Sequence, residues 1–424
     1  MRRRWTGLWH HADFLKLWAG QAISLLGSRV TMLALPLTAV SILEATPGQM
    51  GILEAAGALP ALLLGLFTGA WVDRHRRRPI LLAADVGCAA LLACIPIAAI
   101  AGVLRIEHLY SLTFLLSTLG LLSGVAHGPF LLSLIGRERV VEGNSKLRIS
   151  RSVTEILGPG LAGGLIQAIT APIAIAIDAG SRLVSAACLW LIRTPEPPPQ
   201  QTEQRQDIWR EIGEGLRLVI GDPLLRAIAG CIGSLNLFDS ALETVWLLYV
   251  TRNLGIAPGL LGLIFACGGA GFLIGALLTD KAARRFGLGP AIIGGVLLAA
   301  LSDLLAPLAG GPIVAIAAIL VTSQFLFGLG LTVFDVGQLS LRQIATPDHL
   351  QGRVNATMSV IGIGMAPLGG LLGGVLGETI GPRATLFAAA LGEALSVTWL
   401  LLSPLRSLRQ PLAEEASPPP SAVP

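Results

Sequence analysis

The chain has 424 residues, of which 53% are hydrophobic and only 13% are charged, and its formal net charge is +4. Soluble domains carry about 25% charged residues, so this chain lacks the polar residues that a water-facing surface needs. The composition excludes a soluble enzyme, a disordered scaffold and a disulfide-rich secreted domain, and it predicts a polytopic membrane protein. The basic residues stand in short clusters between apolar runs, which indicates charge at a membrane surface and no nucleic-acid partner.

Apolar runs, separated by turn residues or charges, predict twelve membrane-spanning helices. A helix of about 20 apolar residues crosses a bilayer, and helices are expected because an open sheet edge is not tolerated in hydrocarbon. The first run is too long for the core of a signal peptide, so we expect it to be retained as the first span. The predicted spans are 14–43, 49–72, 79–102, 109–135, 148–169, 172–192, 224–250, 258–279, 290–309, 313–341, 354–377 and 383–403.

The basic residues lie mainly on one side of this predicted arrangement. Most of the 30 Lys and Arg residues fall near the N-terminus, in the even-numbered loops and near the C-terminus. The odd-numbered loops hold only Arg105, Arg252 and Arg383. Because cytoplasmic loops are enriched in Lys and Arg, both termini are predicted to lie in the cytoplasm of a multi-pass protein of the cell (plasma or inner) membrane.

The segment between spans six and seven differs from the rest of the chain. It begins with the polar run TPEPPPQQTEQRQ, and apolar residues then recur at helical spacing at Ile208, Ile212, Leu216 and Val219. This pattern predicts a linker with an amphipathic helix, which either lies on the membrane surface or simply joins two domains. The predicted organisation is an N-terminal six-helix half (1–193), a cytoplasmic linker (194–222), a C-terminal six-helix half (223–406) and a disordered Pro/Ser-rich tail (407–424).

Two short repeats relate the halves. PGQMGIL at 47–53 matches PGLLGLI at 258–264, and DRHRRR at 73–78 matches DKAARR at 280–285. The matches lie at the same ends of spans 2 and 8, so we expect two pseudo-symmetric halves of six helices each.

Several ionisable side chains lie within predicted spans, where each costs about 3 kcal/mol to insert and is therefore a functional candidate. Asp239 and Glu243 are one helical turn apart on the same face, and two carboxylates in a medium of low dielectric repel each other, so at least one should bind a proton. Arg29 is a candidate counter-charge, either for proton coupling or in a static ion pair. His127 is either a proton relay or a hydrogen-bonded core histidine.

Other charged residues receive structural predictions or none. Two pairs at i, i+4 spacing are expected to neutralise each other within one helix: Arg151 with Glu155, and Asp178 with Arg182. Asp85 is predicted to reach the lipid headgroups, and Asp303 and Glu393 receive no role. The sequence holds no metal-binding cluster, phosphate-binding loop or catalytic constellation, so neither a metal nor an enzyme is expected.

The segment GAWVDRHRRRP after span 2 carries the residues Gly69, Asp73, Arg74, Arg77 and Arg78 at signature spacing. Together with twelve spans in two halves, it resembles the major facilitator superfamily. The stretches FLKLWAGQAISLLGS, AIDAGSRLVSAACLWLIR and LRQIATPDHLQGRVNAT resemble the branch of drug, macrolide and enterobactin exporters. The resemblance implies an all-α membrane fold.

The resemblance also implies three groups of site residues. Spans 1, 4, 7 and 10 would line a central cavity with Arg29, His127, Asp239, Glu243 and Asp335. The signature and its repeat would form a conformational latch that also includes Asp280, Lys281, Arg284, Arg285 and, at the start of span 11, Arg353. Small and helix-bending residues would let spans 5 and 11 move: Gly158, Pro159, Gly163, Gly164 and Pro367.

By the same resemblance, we expect a secondary active transporter that exports lipophilic small molecules of the drug, macrolide or siderophore class. It would work by proton-coupled alternating access in the lipid bilayer, as a monomer, with no cofactor beyond the proton gradient. Two alternatives stay open at this point: a proton-coupled uptake symporter of the same fold, and a non-transporting membrane sensor.

Overall fold

The computed structural model describes residues 7–196 and 208–407, and all regular structure in these residues is helical. Helices satisfy their own backbone hydrogen bonds, which a bilayer core demands, and the predicted all-α class is confirmed. The helices are α1 (Ala12–Ser41), α2 (Pro47–Asp73), α3 (Arg77–Ile100), α4 (Ile106–Ile135), α5 (Val140–Ile169), α6 (Ala171–Trp190), α7 (Ile208–Gly221), α8 (Pro223–Leu248), α9 (Pro258–Phe286), α10 (Leu288–Asp303), α11 (Leu305–Leu308), α12 (Ile313–Ala345), α13 (Gln351–Thr379), α14 (Pro382–Ser396) and α15 (Thr398–Leu401).

These helices overlap all twelve predicted spans, but not every one meets the requirements of a membrane span. Within the described ranges, ten are long and apolar enough, or eleven if the bent pair Gly213–Gly221 and Pro223–Asn253 counts as one span. Helix α5 is not among the ten, and it carries five charges, at Glu142, Lys146, Arg148, Arg151 and Glu155. The count of twelve and the pseudo-symmetry of the halves therefore stay predictions.

Several helix ends follow from local sequence. Helix α2 begins with Pro47 after a capping box, in which Thr46 Oγ1 accepts from Gln49 N (3.3 Å) and Gln49 Oε1 accepts from Thr46 N (2.9 Å). Helix α4 ends at Gly136, whose φ of 75° suits glycine. Thr170, between α5 and α6, also has a positive φ of 77°, which is strained for a β-branched residue.

One compact unit, unit 1, consists of residues 1–204, 243–266 and 370–382. In it α1 packs against α5 and α6, α3 against α6, and α2 against α4. One of its core clusters contains Phe14, Leu17, Leu81, Phe130 and Leu189, all almost fully buried. Because lipid tails are as apolar as these side chains, close packing holds such helices together within the membrane.

A second compact unit, unit 2, consists of residues 205–242, 267–369 and 383–424. Helix α10 packs against α12, and the core cluster includes Ile228, Ile292, Phe334 and Leu400, all nearly inaccessible. Leucines such as Leu277 and Leu395 are about two-thirds exposed on the outer helix faces. Lipid, and not water, is the solvent that such exposed apolar side chains require.

The predicted amphipathic helix of the linker is present as α7 and is anchored on unit 2. Val219 lies in the core of that unit, and Gly215 lets the α7 backbone approach α13, where a Cβ at position 215 would lie 3.0 Å from the Arg353 carbonyl oxygen. Glu214 and Arg353 form an ion pair of 2.6 Å. The Pro/Gln-rich run from residue 197 onward and the tail from residue 408 onward lie outside the described residues, and the predicted domain boundaries stay predictions.

Candidate functional site

Arg29 of α1 has a partner that the sequence did not suggest. Its Nη2 lies 3.3 Å from Glu155 Oε1 on α5, so Glu155 pairs with Arg29 and not with Arg151 as predicted. Gly158, one turn further along α5, provides the space for this arginine, since a Cβ there would lie 2.7 Å from Arg29 Cγ. In unit 1 the counter-charge of Arg29 is therefore Glu155.

His127 of α4 is hydrogen-bonded to α1. Its Nδ1 lies 2.8 Å from Gln21 Nε2, and the imidazole is half-buried. Gln21 carries no charge and follows no spacing rule, so nothing in the sequence marked it as the partner. This hydrogen bond holds the imidazole ring of His127 against α1. The role of His127 as a proton relay stays a prediction.

The predicted carboxylates lie at different depths. On α8, Asp239 is half-buried and Glu243 is exposed, while Asp335 on α12 is exposed. Asp239 and Asp335 belong to unit 2, whereas Glu243 belongs to unit 1 together with Arg29 and His127. A common cavity lined by these five side chains stays a prediction.

A buried ionic network joins α1, α3 and α6. Arg182 lies 3.6 Å from Asp178, as the i, i+4 spacing predicted, and also 3.5 Å from Asp85. Thr31 donates a hydrogen bond of 2.6 Å to Asp178, and Arg182 donates one of 2.8 Å to Ser28. The prediction that Asp85 reaches the headgroups is wrong, because the residue is only 5% exposed and needs the arginine as counter-charge.

Two carboxyl groups with no predicted role lie together inside unit 2. Asp303, at the end of α10, and Glu393, on α14, are both buried, and their side chains contact each other. They are 90 residues apart in sequence, so no spacing pattern connects them. Only the packing of α10 and α14 brings them together.

The signature segment after α2 is held by a residue that the sequence analysis missed. Glu196 accepts hydrogen bonds from the backbone N–H groups of Arg77 (2.6 Å) and Arg78 (3.0 Å), which caps the start of α3. The Arg78 guanidinium donates to the carbonyl oxygens of Leu189 and Trp190 at the end of α6. Two of the signature arginines thus fasten α3 to the chain that follows α6.

We expect Glu196→Ala to lower the free energy of unfolding by about 1–2 kcal/mol, because two N–H groups at a helix start lose their acceptor. Hydrogen–deuterium exchange of the peptide that contains Arg77 and Arg78 should accelerate in the purified protein. Glu138→Ala is the matched control, since Glu138 is exposed. Unchanged exchange in Glu196→Ala would show that the cap contributes nothing.

The other predicted latch residues are mostly exposed. Asp73 is exposed and lies 3.9 Å from the half-buried Arg77, and Asp280 forms an exposed ion pair with Arg284 within α9. Arg74, Lys281 and Arg285 are exposed, and a side chain at Gly69 would meet no neighbour within 4 Å. Arg353 pairs with Glu214, as described above. A latch made from these residues stays a prediction.

Glycines of α5 form a close helix contact in unit 1. A Cβ at Gly163 would collide with the Pro258 carbonyl oxygen and lie 2.8 Å from Gly262 Cα, and a Cβ at Gly262 would lie 2.5 Å from the Pro159 carbonyl oxygen. Gly164, the next residue, faces open space. Helix α5 continues through Pro159, and α13 continues through Pro367.

Helices α2 and α13 meet in the same manner within unit 1. A Cβ at Gly51 would lie 2.5 Å from the Gly370 carbonyl oxygen, so the two backbones are in direct contact. Beyond this crossing, the exposed Glu378 carboxylate accepts hydrogen bonds from Thr46 Oγ1 (2.7 Å) and Gly48 N (3.2 Å). A carboxylate at the start of α2 is favourably placed with respect to the helix dipole.

The described residues contain no cluster of His, Cys, Asp and Glu that would hold a metal ion. A cavity of about 350 Å³ lies among α9, α10 and α12 of unit 2, with an apolar wall that includes Phe286, Leu298 and Val333. None of the predicted site residues lines this cavity.

Comparisons with known proteins give consistent matches. A family model described as transmembrane secretion effector matches residues 4–422. The multidrug efflux pump Tap of Mycolicibacterium fortuitum is 27% identical over 410 residues, which cover 90% of this chain and 93% of the pump. The enterobactin exporter EntS of Escherichia coli O127:H6 is 25% identical over 409 residues, with coverage of 94% and 93%.

Among solved structures, the fold is similar to that of a bacterial homologue of the iron transporter ferroportin in an inward-facing state. The TM-score is 0.72 at 16% sequence identity, and the match covers 92% of this chain and 98% of the other. At this identity the likeness concerns the fold alone.

Proposed function

Because the chain belongs to the transmembrane secretion effector family of the major facilitator superfamily, we propose that it exports lipophilic small molecules by proton-coupled alternating access. Membership in this family of multi-span membrane transporters confirms the resemblance to the major facilitator superfamily. A transporter of this family is not an enzyme. The export direction and the substrate class are more specific statements than membership in the family. They are supported by similarity over nearly the whole chain to a multidrug efflux pump and an enterobactin exporter.

The observation that carries proton coupling is the pair of acidic residues on α8. Asp239 and Glu243 lie one turn apart on α8, and ionisable residues within a membrane span are costly to insert and are therefore functional candidates. An exported cation and a proton would compete for these carboxylates, so that binding of one releases the other. We further propose an inner-membrane location with both termini in the cytoplasm, which the distribution of Lys and Arg supports.

We expect substrate-dependent proton flux to fall by about tenfold or more in Asp239→Asn or Glu243→Gln, since an amide cannot bind the proton. The measurement uses purified protein in liposomes with an internal pH dye, and a panel of lipophilic cations, macrolides and catecholate siderophores. Glu107→Gln, which alters an exposed carboxylate at the start of α4, is the matched control.

The same liposomes discriminate the alternatives. Substrate movement together with protons, in the same direction, would establish an uptake symporter of this fold. Substrate movement without protons would overturn the coupling, and binding of a panel member without any movement would point to a sensor.

A further inference from the structure

The interior of unit 2 holds a pair of acids that the proposed function does not use. Asp303 is 2% exposed and Glu393 is 0% exposed. Their side chains lie close enough that a proton on either carboxyl would form a hydrogen bond to the other. Two buried acids are costly within a membrane domain if they are charged, because buried charges are tolerated only with partners.

Most of the carboxyl oxygens of this pair lack a hydrogen-bond donor among the described residues. Both carboxyl oxygens of Glu393 and Oδ2 of Asp303 lack a hydrogen-bond partner among the described residues. The hydroxyls next to them in the chain are already committed: Ser302 donates to the Ala299 carbonyl oxygen (2.6 Å), and Ser396 donates to the carbonyl oxygen of Glu393 itself (2.5 Å). A buried carboxylate without donors costs several kcal/mol, so a proton is the missing partner.

Further acidic groups lie near this pair. Asp303 and Asp239, the latter on α8, both act on Glu393 through their charges. Asp303 is the last residue of α10, and α11 begins two residues later. Arg383, in the first turn of α14, is exposed and donates its Nε to the Pro307 carbonyl oxygen at 2.8 Å.

The other groups near the pair, on α12 and α8, are a hydroxyl and a thiol. Helix α12 contributes Ser323, whose hydroxyl donates to the Ser302 carbonyl oxygen (2.8 Å). Helix α8 also contributes Cys231, whose buried thiol lies 3.9 Å from Ser396 Oγ. Two adjacent carboxyls at low dielectric do not both ionise, so the pair retains at least one proton.

We propose that Asp303 and Glu393 form a proton-binding site of the transport cycle, with Asp239 as the group through which the proton enters and leaves. The transfer breaks the O–H bond of a protonated Asp239 and forms an O–H bond on Glu393, and the release reverses these steps. Asp239 suits this position because it is only half-buried, whereas the pair is closed to solvent. The inference rests on the proton coupling proposed above. It places the proton-binding site on α10 and α14, and not on α8 itself.

The first test needs no substrate. Infrared spectra of the purified protein in liposomes should show the C=O stretch of a protonated, buried carboxyl at neutral pH, with a shift in D₂O. We expect this band to shift in Glu393→Gln and in Asp303→Asn, to be lost when both residues are replaced, and to stay unchanged in Glu378→Gln, which alters an exposed carboxylate. A wild-type protein without the band would overturn the proposal.

The second test measures coupling. Substrate-driven proton flux should fall by about tenfold or more in Glu393→Gln and in Asp303→Asn, while exchange of labelled substrate without a proton gradient continues. Both amides keep the volume of an uncharged acid, so the thermal unfolding midpoint should stay near that of the wild type. Retained proton flux in both variants would show that the pair is a structural feature.

The two proposals fail separately. If the wild type moves substrate without protons, the proton-coupled function is wrong, whereas the infrared band still decides whether the pair binds a proton. If the wild type couples protons and both amide variants do so as well, only the site in unit 2 is wrong.

Discussion

Replacing Arg182 by Met is expected to lower the free energy of unfolding by about 3–5 kcal/mol. The arginine is the counter-charge of Asp85 and Asp178, which are 5% and 1% exposed. Without Arg182, two carboxylates remain buried near each other with no positive charge beside them. Burying these uncompensated charges costs more free energy than the intact ion pairs contribute to stability. The effect should therefore appear as misfolding or low yield at growth temperature.

The free energy of unfolding can be followed by circular dichroism during titration with SDS in mixed micelles. Arg284→Met is the matched control, because Arg284 forms the same i, i+4 pair with Asp280 but both side chains are about 70% exposed. An exposed pair contributes at most about 1 kcal/mol. Neutralising the partners as well, with Asp85→Asn and Asp178→Asn, should restore most of the stability of Arg182→Met. A loss below 1 kcal/mol in the single variant would contradict the network.

Replacing Gly163 by Ala is expected to slow transport by about tenfold or more, whereas Gly164→Ala should leave transport near the wild-type rate. A Cβ at position 163 would collide with the backbone of Pro258 and Gly262, which cannot rotate away as a side chain would. Overpacking of this kind costs about 1–3 kcal/mol, and it would destabilise the conformation in which α5 and α9 touch. A shift of 1.4 kcal/mol changes a conformational equilibrium tenfold.

The two variants add the same methyl group to neighbouring residues of one helix, so helix propensity is matched between them. Transport rates in liposomes, normalised to the amount of inserted protein, provide the comparison. Disulfide formation between cysteines placed on α5 and α9, away from the glycines, would report whether the helices have separated. Equal rates for the two variants would show that this close contact does not matter for the cycle.

Residue patterns predicted the features that depend on local chemistry. The length of apolar runs placed the helices, because a bilayer accepts only helices of a certain length and polarity. The i, i+4 spacing of Asp178 and Arg182 was sufficient to predict their pair, since neighbours on one helix face meet whatever surrounds the helix. The signature around Asp73 was sufficient to identify the superfamily.

The contacts between distant residues were not predictable in this way. Arg29 was expected near the acids of α8 and pairs with Glu155, and Asp85 was expected at the headgroups and is buried beside Arg182. Neither partner was foreseen, because a charge in a span shows that a partner is needed but not which helix supplies it. Glu196 and Gln21 were missed because hydrogen bonds between residues far apart in the sequence follow no spacing pattern.

The sequence by itself determined that this protein is an all-helical membrane transporter, since apolar run length and signature spacing are properties of neighbouring residues. Tertiary structure alone decided which charges neutralise each other and which buried acids lie side by side. In a medium of low dielectric, the ionisation state of a side chain depends on the few groups that packing places beside it. Asp303 and Glu393 illustrate this dependence: separated by 90 residues, they acquire a shared chemistry only when α10 and α14 fold together.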